Sequence, residues 1–323
     1  MPVTRPPSPH LDQADPWASA AMHQALINDR GRTLNYKKAI EKRVKKTDVV
    51  LDMGCGTGIL AFFAAKKGCK RLYAVDNADI LHDAMSAARL NALDDVCIFS
   101  KTDIFAFRPK EKIDVLLHEQ IGNFLWDEDL VSKVAHIRDH FLRKSGAIIP
   151  SRIALYLVPI NYSTESEKAL LFWSRKHYGL SFSNLGKTHF TQKISDWISP
   201  QIIRLQDSGS FLCPPQSAHT VDLWKAKSIP ERITAVFRLK KGSRLSGVCA
   251  YFKVILDEKN AFSNHPAAPA SHWGQIFLPC LQPLSLPDDS ILDFKLWPDK
   301  KPEKWRFRFD IRSAAPGPHA HGG

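Results

Sequence analysis

The sequence predicts an α/β domain built on a parallel sheet, followed by a mainly antiparallel β domain. Two changes of texture predict this. Up to Pro150, short continuous apolar runs alternate with helical stretches, the pattern of strands covered on both faces. From about Val221, short strands separated by Pro, Gly, Asn and Asp predominate, as in an antiparallel sheet or barrel. At 323 residues the chain can give each module a core of its own. The expected division is a disordered leader over 1–16, a first domain with its N-terminal helices over 17–150, a second domain over 151–312 and a disordered tail over 313–323.

The elements follow in order. Trp17 to Val44 reads as helical, with Lys and Arg crowding the end where the helix dipole favours cations. Val49 to Leu51 is a strand, and Ile59 to Lys67 an Ala-rich helix closed at Gly68. Leu72 to Val75, Val96 to Phe99, Ile113 to Leu117 and Ala147 to Ile149 read as further strands. Helices are expected over Ala78–Leu93 and Asp129–Leu142, and helical signal in the second half survives mainly around Thr164 to Lys176.

Composition excludes several classes. No run of about 18 apolar residues occurs, so no membrane-spanning helix is expected, and the Pro-rich leader lacks the apolar centre of a secretory signal. The six cysteines form no Cys-x-x-Cys pair, which argues against a zinc site or disulfide framework and for a reducing cytoplasm; no metal is expected. The net charge of +12 is uneven: Lys and Arg exceed Asp and Glu by 3 in residues 1–150 and by 9 beyond them. A basic second half can attract an anionic partner, although no dense basic run is present.

The first strand runs through Asp52 into Gly54, Gly56 and Gly58, just ahead of a helix. Such a loop lets backbone N–H groups approach a ligand closely. A dinucleotide fingerprint would place glycine where Ile59 stands, which disfavours NAD. Asp76 ends the second strand and can accept both hydroxyls of an adenosine ribose; Asp103, after the third strand, is placed for the adenine amino group. Loop and spaced acids together point to S-adenosylmethionine.

The fourth strand leads into a segment with Glu119 and Glu128 on either side of Gly122. The Asn-Pro-Pro-aromatic run usual in enzymes that methylate amides or adenine amines is missing here. A loop of this kind can curl back and aim two carboxylates at one point. Two adjacent carboxylates repel unless a cation lies between them, and a planar guanidinium with five donors is the natural fit.

Together with His23 to Thr33 near the start and Ser271-His272-Trp273 near residue 270, these motifs resemble the protein arginine methyltransferases, over about Trp17 to Trp273. The resemblance implies a Rossmann-like methyltransferase domain, then a β-barrel with a helical dimerisation arm at about 163–192, and a homodimer. It implies that Arg32 binds the methionine carboxylate and orients Glu119, and that His23 lies along the cofactor. Glu119 and Glu128 would clamp the guanidinium, His272 would pair with Asp29 and assist proton removal, and Trp273 would wall the substrate channel. Concentrating the guanidinium charge on two nitrogens frees the third to take up a methyl group.

The match departs from the family pattern in places. Ser271 stands for Thr, Asn123 for a frequent Tyr, and Leu26 and Leu130 for frequent methionines, which leaves the methylation state of the product open. The acceptor the resemblance implies is arginine in a protein or peptide, and free arginine in a biosynthetic pathway is the rival expectation, since a basic second half opposes Arg/Gly-rich tails. A nucleic-acid methyltransferase is disfavoured by the missing Asn-Pro-Pro run. A non-catalytic module that keeps only the cofactor pocket would leave the paired acids without a purpose.

Overall fold

The computed structural model describes residues 19–122, 124–163, 172–173, 175–184, 200–240, 242–287 and 289–313. The chain divides into two compact units, Met1–Glu119 with Phe141–Ile149, and Gln120–His140 with Pro150–Gly323. The segment 120–140, grouped with the parallel sheet on sequence grounds, thus belongs with the second unit.

In the first unit, helices α1 (Ala20–Asn28) and α2 (Arg30–Arg43) precede strand β1 (Val49–Met53), helix α3 (Ile59–Lys66), strand β2 (Arg71–Asp76), helix α4 (Leu81–Leu90), and strands β3 (Cys97–Lys101), β4 (Ile113–His118) and β5 (Leu142–Ile149). The five strands form one parallel sheet in the order β3-β2-β1-β4-β5. All five residues of β1 are buried, which is why the central strand reads as an unbroken apolar run up to Asp52. Reversal of strand order on either side of β1 opens a crevice at its C-terminal end, the place where open α/β sheets bind ligands.

Three elements differ from expectation. The N-terminal helix is broken at Asp29, whose backbone leaves the helical region (φ −69°, ψ 82°) and whose carboxylate accepts the Arg32 N–H at 2.9 Å. An aspartate at this point competes for helix N–H groups and starts a second helix instead of continuing the first. Helix α4 is shorter than 78–93, because the Asp76 carboxylate takes the Ala78 N–H and Ala92 turns with φ 53°. Strand β5 begins at Leu142, well before Ala147; its exposed Arg143 and Lys144 hide the strand from an apolar-run reading, while Arg143 pairs with Asp114 at 3.0 Å.

In the second unit, helix α5 (Leu130–His140) is followed by strands β6 (Arg152–Ile160), β7 (Lys176–His177), β8 (Leu180–Ser181), β9 (Gln201–Ile203), β10 (Gln216–Asp222), β11 (Ile233–Leu239), β12 (Arg244–Ile255), β13 (Ala261–Ser263), β14 (Gln275–Ser285), β15 (Ser290–Trp297) and β16 (Arg306–Ser313). One antiparallel sheet has the order β10-β6-β12-β14-β9 with β13 beside β12, and a second has the order β11-β15-β16. The long central strands β6 and β12 are almost wholly buried, and Val158, Ile160, Cys249, Tyr251 and Phe277 form one core cluster. The expected helix at 164–176 and the arm at 163–192 fall largely outside the described residues. Where described, Lys176–His177 and Leu180–Ser181 pair as a short hairpin, so Lys176 is in a strand.

Candidate active site

At the end of β1 the chain turns through Gly54 (φ 70°), Gly56 (φ 52°) and Gly58 (φ 84°). The backbone N–H groups of Gly54 and Cys55 both donate to the Val75 carbonyl, which folds the loop back over β2. Positive φ and crowding favour glycine at the second and third positions. A Cβ on Gly56 would lie 2.8 Å from His23 Cε1, and one on Gly58 would lie 2.8 Å from Phe62 Cζ. His23, from α1, is therefore seated directly on the loop and is buried.

Asp76 braces this cradle. Its Oδ2 accepts the Gly56 N–H at 2.8 Å and its Oδ1 the Ala78 N–H at 2.9 Å, leaving further lone pairs on each oxygen. Asp103 is exposed just beyond β3, its Oδ1 taking the Phe105 N–H at 2.8 Å. Asp52 is buried beneath the loop; its Oδ2 accepts the Ala61 N–H at 2.9 Å, and its Oδ1 has no partner among the described residues.

Burial raises the Asp52 pKa from the ordinary 3.8 to about 7, with the Ala61 N–H opposing the shift. Between about pH 4 and about 7 the folded chain keeps a proton that the unfolded chain releases, so stability falls as pH rises through that window. The full loss, present above about pH 7, is on the order of 4 kcal/mol. The melting temperature of the cofactor-free protein is therefore expected to fall from about pH 5 to about pH 8 and to fall less in Asp52→Asn. A melting profile in Asp52→Asn as steep as in the wild type would remove Asp52 as the cause.

On α2, Arg32 turns its guanidinium to the end of β4. Its Nε and Nη2 donate to the same oxygen, Oε2 of Glu119, at 3.1 and 2.7 Å, and its Nη1 donates to the Leu26 carbonyl at 2.9 Å. Both side chains are nearly enclosed, with 4% and 8% of their surface exposed. Glu119 Oε1 accepts nothing from the described residues and stays available. Tyr36, one turn along α2, was not evident from the sequence. Its ring lies 5.9 Å from the Arg32 guanidinium carbon, and its hydroxyl donates to the His118 carbonyl at 3.0 Å, fixing α2 against β4. Burial holds that phenol protonated by raising its pKa well above 10.

Glu128 belongs to the second unit, on a loop in unusual backbone. Gly122, Leu125, Glu128 and Asp129 all have φ near 60°. Such conformations cost roughly 1–3 kcal/mol each outside glycine and persist only where surroundings enforce them. The enforcement is visible. Phe124 packs edge-on against Phe252 and Trp305, the Trp126 indole N–H donates to the Asp299 carbonyl at 3.2 Å, and Lys300 pairs with Asp129 at 2.8 Å. The loop curls back at its glycine, as expected: a Cβ on Gly122 would lie 2.9 Å from Asp127 Cβ and 3.0 Å from Glu128 Oε1.

Trp273 completes this support. Its indole N–H donates to the Gly122 carbonyl at 2.7 Å, and its ring stacks on Phe262 and meets Phe252 edge-on. It is 4% exposed, so its observed contacts are those of an anchor for the loop. His272 is half-buried beside it, with ring centroids 3.7 Å apart. Arg204, also unforeseen, donates to the Ser271 and His272 carbonyls at 3.2 and 2.7 Å and holds that turn. Asp29 lies in the first unit, where its carboxylate caps α2, and His272 lies in the second.

The structure thus gathers His23, Asp29, Arg32, Asp52, the three glycines, Asp76 and Glu119 in the first unit, and Glu128, His272 and Trp273 in the second. A crowded glycine turn, an acid at the end of β2 and a buried carboxylate oxygen with no partner among the described residues fit a nucleoside cofactor. Among the described residues no helix is long and apolar enough to cross a membrane.

Comparison with known proteins agrees. Residues 34–153 match the family model of the ribosomal protein L11 methyltransferase, and residues 151–311 match that of the arginine methyltransferase oligomerization subdomain. Protein arginine N-methyltransferase 6 of Danio rerio is 30% identical over 275 residues, covering 82% of this chain and 77% of its own length. Protein arginine N-methyltransferase 1 of Dictyostelium discoideum is 28% identical over 269 residues, covering 81% and 76%. The fold is similar to that of the Trypanosoma brucei PRMT1 enzyme–prozyme heterotetrameric complex with AdoHcy (TM-score 0.77, 20% identity, 93% of this chain and 96% of that one). It is equally similar to Arabidopsis thaliana protein arginine methyltransferase 10 (TM-score 0.77, 21% identity, 93% and 95%). With the glycine cradle, the braced acid and the Arg32–Glu119 pair in place, the chain belongs to the protein arginine N-methyltransferase family of S-adenosylmethionine-dependent enzymes.

Proposed function

We propose that this enzyme methylates a guanidino nitrogen of arginine residues in proteins or peptides. The observation that carries the reading is the one-sided bond between Arg32 and Glu119: both N–H groups fall on Oε2, which orients the carboxylate and leaves Oε1 for a substrate cation. In this reading Glu119 and Glu128 hold the guanidinium between them. Their negative charge draws the cation's charge onto the two nitrogens they contact and leaves the third more nucleophilic. When bound, S-adenosylmethionine supplies a methyl group made electrophilic by its sulfonium. Gly54, Gly56 and Gly58 with Asp76 and Asp103 hold its nucleoside, Arg32 its carboxylate, and His23 covers it. Asp52 holds the loop from below. His272, with Asp29 in support, takes the proton that the nitrogen must lose.

The chain is further proposed to act as a homodimer through the arm around residues 163–192. The oligomerization-subdomain match over 151–311 and the exposed Phe172, Tyr178 and Leu180 support this. A cytoplasmic setting is supported by six cysteines that are all free.

A second reading, free arginine as acceptor, is favoured by one observation, the excess of nine positive charges beyond residue 150. Labelled S-adenosylmethionine supplied with either an arginine-containing peptide or free arginine separates the two. Label is expected in the peptide and absent from the amino acid. Label in free arginine alone would replace the first reading by the second.

A further inference from the structure

Strand β16 ends the three-stranded sheet. It pairs along all eight residues with β15, from Ser290↔Ser313 to Trp297↔Arg306, and no strand lies on its other side among the described residues. The apolar face of this sheet loses its cover toward that edge. On β11, Phe237 and Leu239 are 0% and 3% exposed, and on β15, Leu292, Phe294 and Leu296 are 0–1% exposed. On β16 the same face carries Phe307, Phe309 and Ile311, and all three are only half-buried. Phe309 touches Phe294, with centroids 5.2 Å apart, and Phe307 meets Phe309 at 5.7 Å, so the apolar layer reaches β16 but is only partly covered there.

The opposite face of β16 carries Arg306, Arg308, Asp310 and Arg312. Asp310 is already taken by Lys295 at 3.0 Å and Arg308 at 2.7 Å, and Arg312 pairs with Asp293 at 2.8 Å. Arg306 has no ion pair among the described residues, and Arg308 and Arg312 remain 67% and 58% exposed. Arg238 on β11 adds to the same face through its register with Ile291, itself opposite Arg312. Among the described residues the edge therefore presents unpaired backbone, a half-buried apolar row on one face and an excess of cations on the other.

We propose that the free edge of β16 docks an extended segment of a partner protein in which acidic and apolar residues alternate. Added as a further strand, such a segment satisfies the outward N–H and C=O groups of every second residue. Side chains of period two then place apolar residues over Phe307, Phe309 and Ile311 and acids beside Arg306, Arg308 and Arg312. An eight-residue edge spans about 27 Å, room for a strand of ordinary length.

Other occupants fit less well. Residues 314–323 contain no acid and include Pro316 and Pro318, which lack an N–H for the ladder. A second copy of β16 would set three arginines and one aspartate against the same set, a net repulsion. A single-stranded nucleic acid would answer the arginines but offers neither backbone N–H groups for the edge nor apolar side chains for the phenylalanine row. The site lies outside the catalytic groups proposed above and stands whichever acceptor is methylated.

The test uses the full chain and a labelled peptide of five Glu-Val repeats, followed by fluorescence anisotropy. Two controls are a peptide of the same composition with its acids and valines in separate blocks, and the alternating peptide N-methylated at every second backbone nitrogen. The alternating peptide is expected to bind about tenfold more tightly than either control, and Arg306→Glu with Arg308→Glu to weaken it about tenfold with unchanged methyl transfer to a short neutral arginine peptide. The N-methylated control keeps the test valid should that variant fail to fold. Equal binding of all three peptides, or equal competition by an oligouridylate, would overturn the proposal by showing a merely electrostatic surface. Dimers that dissociate in the charge-reversed variant would overturn it in favour of a second copy.

Discussion

Glu128→Gln is expected to lower kcat/KM on an arginine peptide by about 10²–10³-fold, with the affinity for S-adenosylmethionine kept within about twofold. The substitution preserves shape and removes one charge. A guanidinium held by two carboxylates would then have one, and the partition of charge that frees the third nitrogen would lapse. Removing one member of a desolvated charge pair costs roughly 2–5 kcal/mol, which spans the stated range. The residues proposed to hold the cofactor lie in the first unit, and Glu128 lies in the second. Glu119→Gln is the harsher companion, because it also weakens the seat of Arg32. Stopped turnover with bound cofactor, read by single-turnover transfer and calorimetry, is the expected pair of results. Wild-type turnover in both variants would end the guanidinium-clamp mechanism.

Trp273→Ala is expected to cost about 3–5 kcal/mol of stability, through a cavity where Phe252 and Phe262 now meet the indole. In a unit of this size that is a drop of about 10 °C in melting temperature. Trp273→Phe separates packing from positioning. The phenyl ring keeps most of the contact and loses only the N–H that donates to the Gly122 carbonyl. The melting temperature is then expected to fall by only a few degrees, since a single hydrogen bond is worth about 1 kcal/mol. Turnover is expected to fall by about tenfold, because Gly122 carries the bend that brings the chain back to Glu128. A Trp273→Phe enzyme with full kcat would show that the indole N–H does not position the loop.

Much of the first unit was legible because its signals are local. Buried parallel strands read as continuous apolar runs, and the spacing of Gly54, Gly56 and Gly58 ahead of an Ala-rich helix leaves little else for that loop to be. The break at Asp29 was legible in principle, since an aspartate three residues before a helix N–H is a capping signal; the dense helix formers around it obscured it. Strand β5 was under-read because its first half is polar and exposed. The backbone at Leu125, Glu128 and Asp129 had little sequence signal, because much of what holds these ordinary residues at positive φ comes from distant Phe252, Trp273, Asp299, Lys300 and Trp305. Strand order in the second unit was equally hidden. The pairing of β9 with β14 joins segments far apart in sequence, and nothing in either segment names the other.

Helix α1 has nine residues and no side-chain cap at Ser19, too short a helix to persist in water by itself. Its order is borrowed from where it rests, and one of its resting points is the imidazole of His23 lying on the bare Cα of Gly56. A side chain added at Gly56 would therefore disturb α1 through His23 as well as the glycine turn itself.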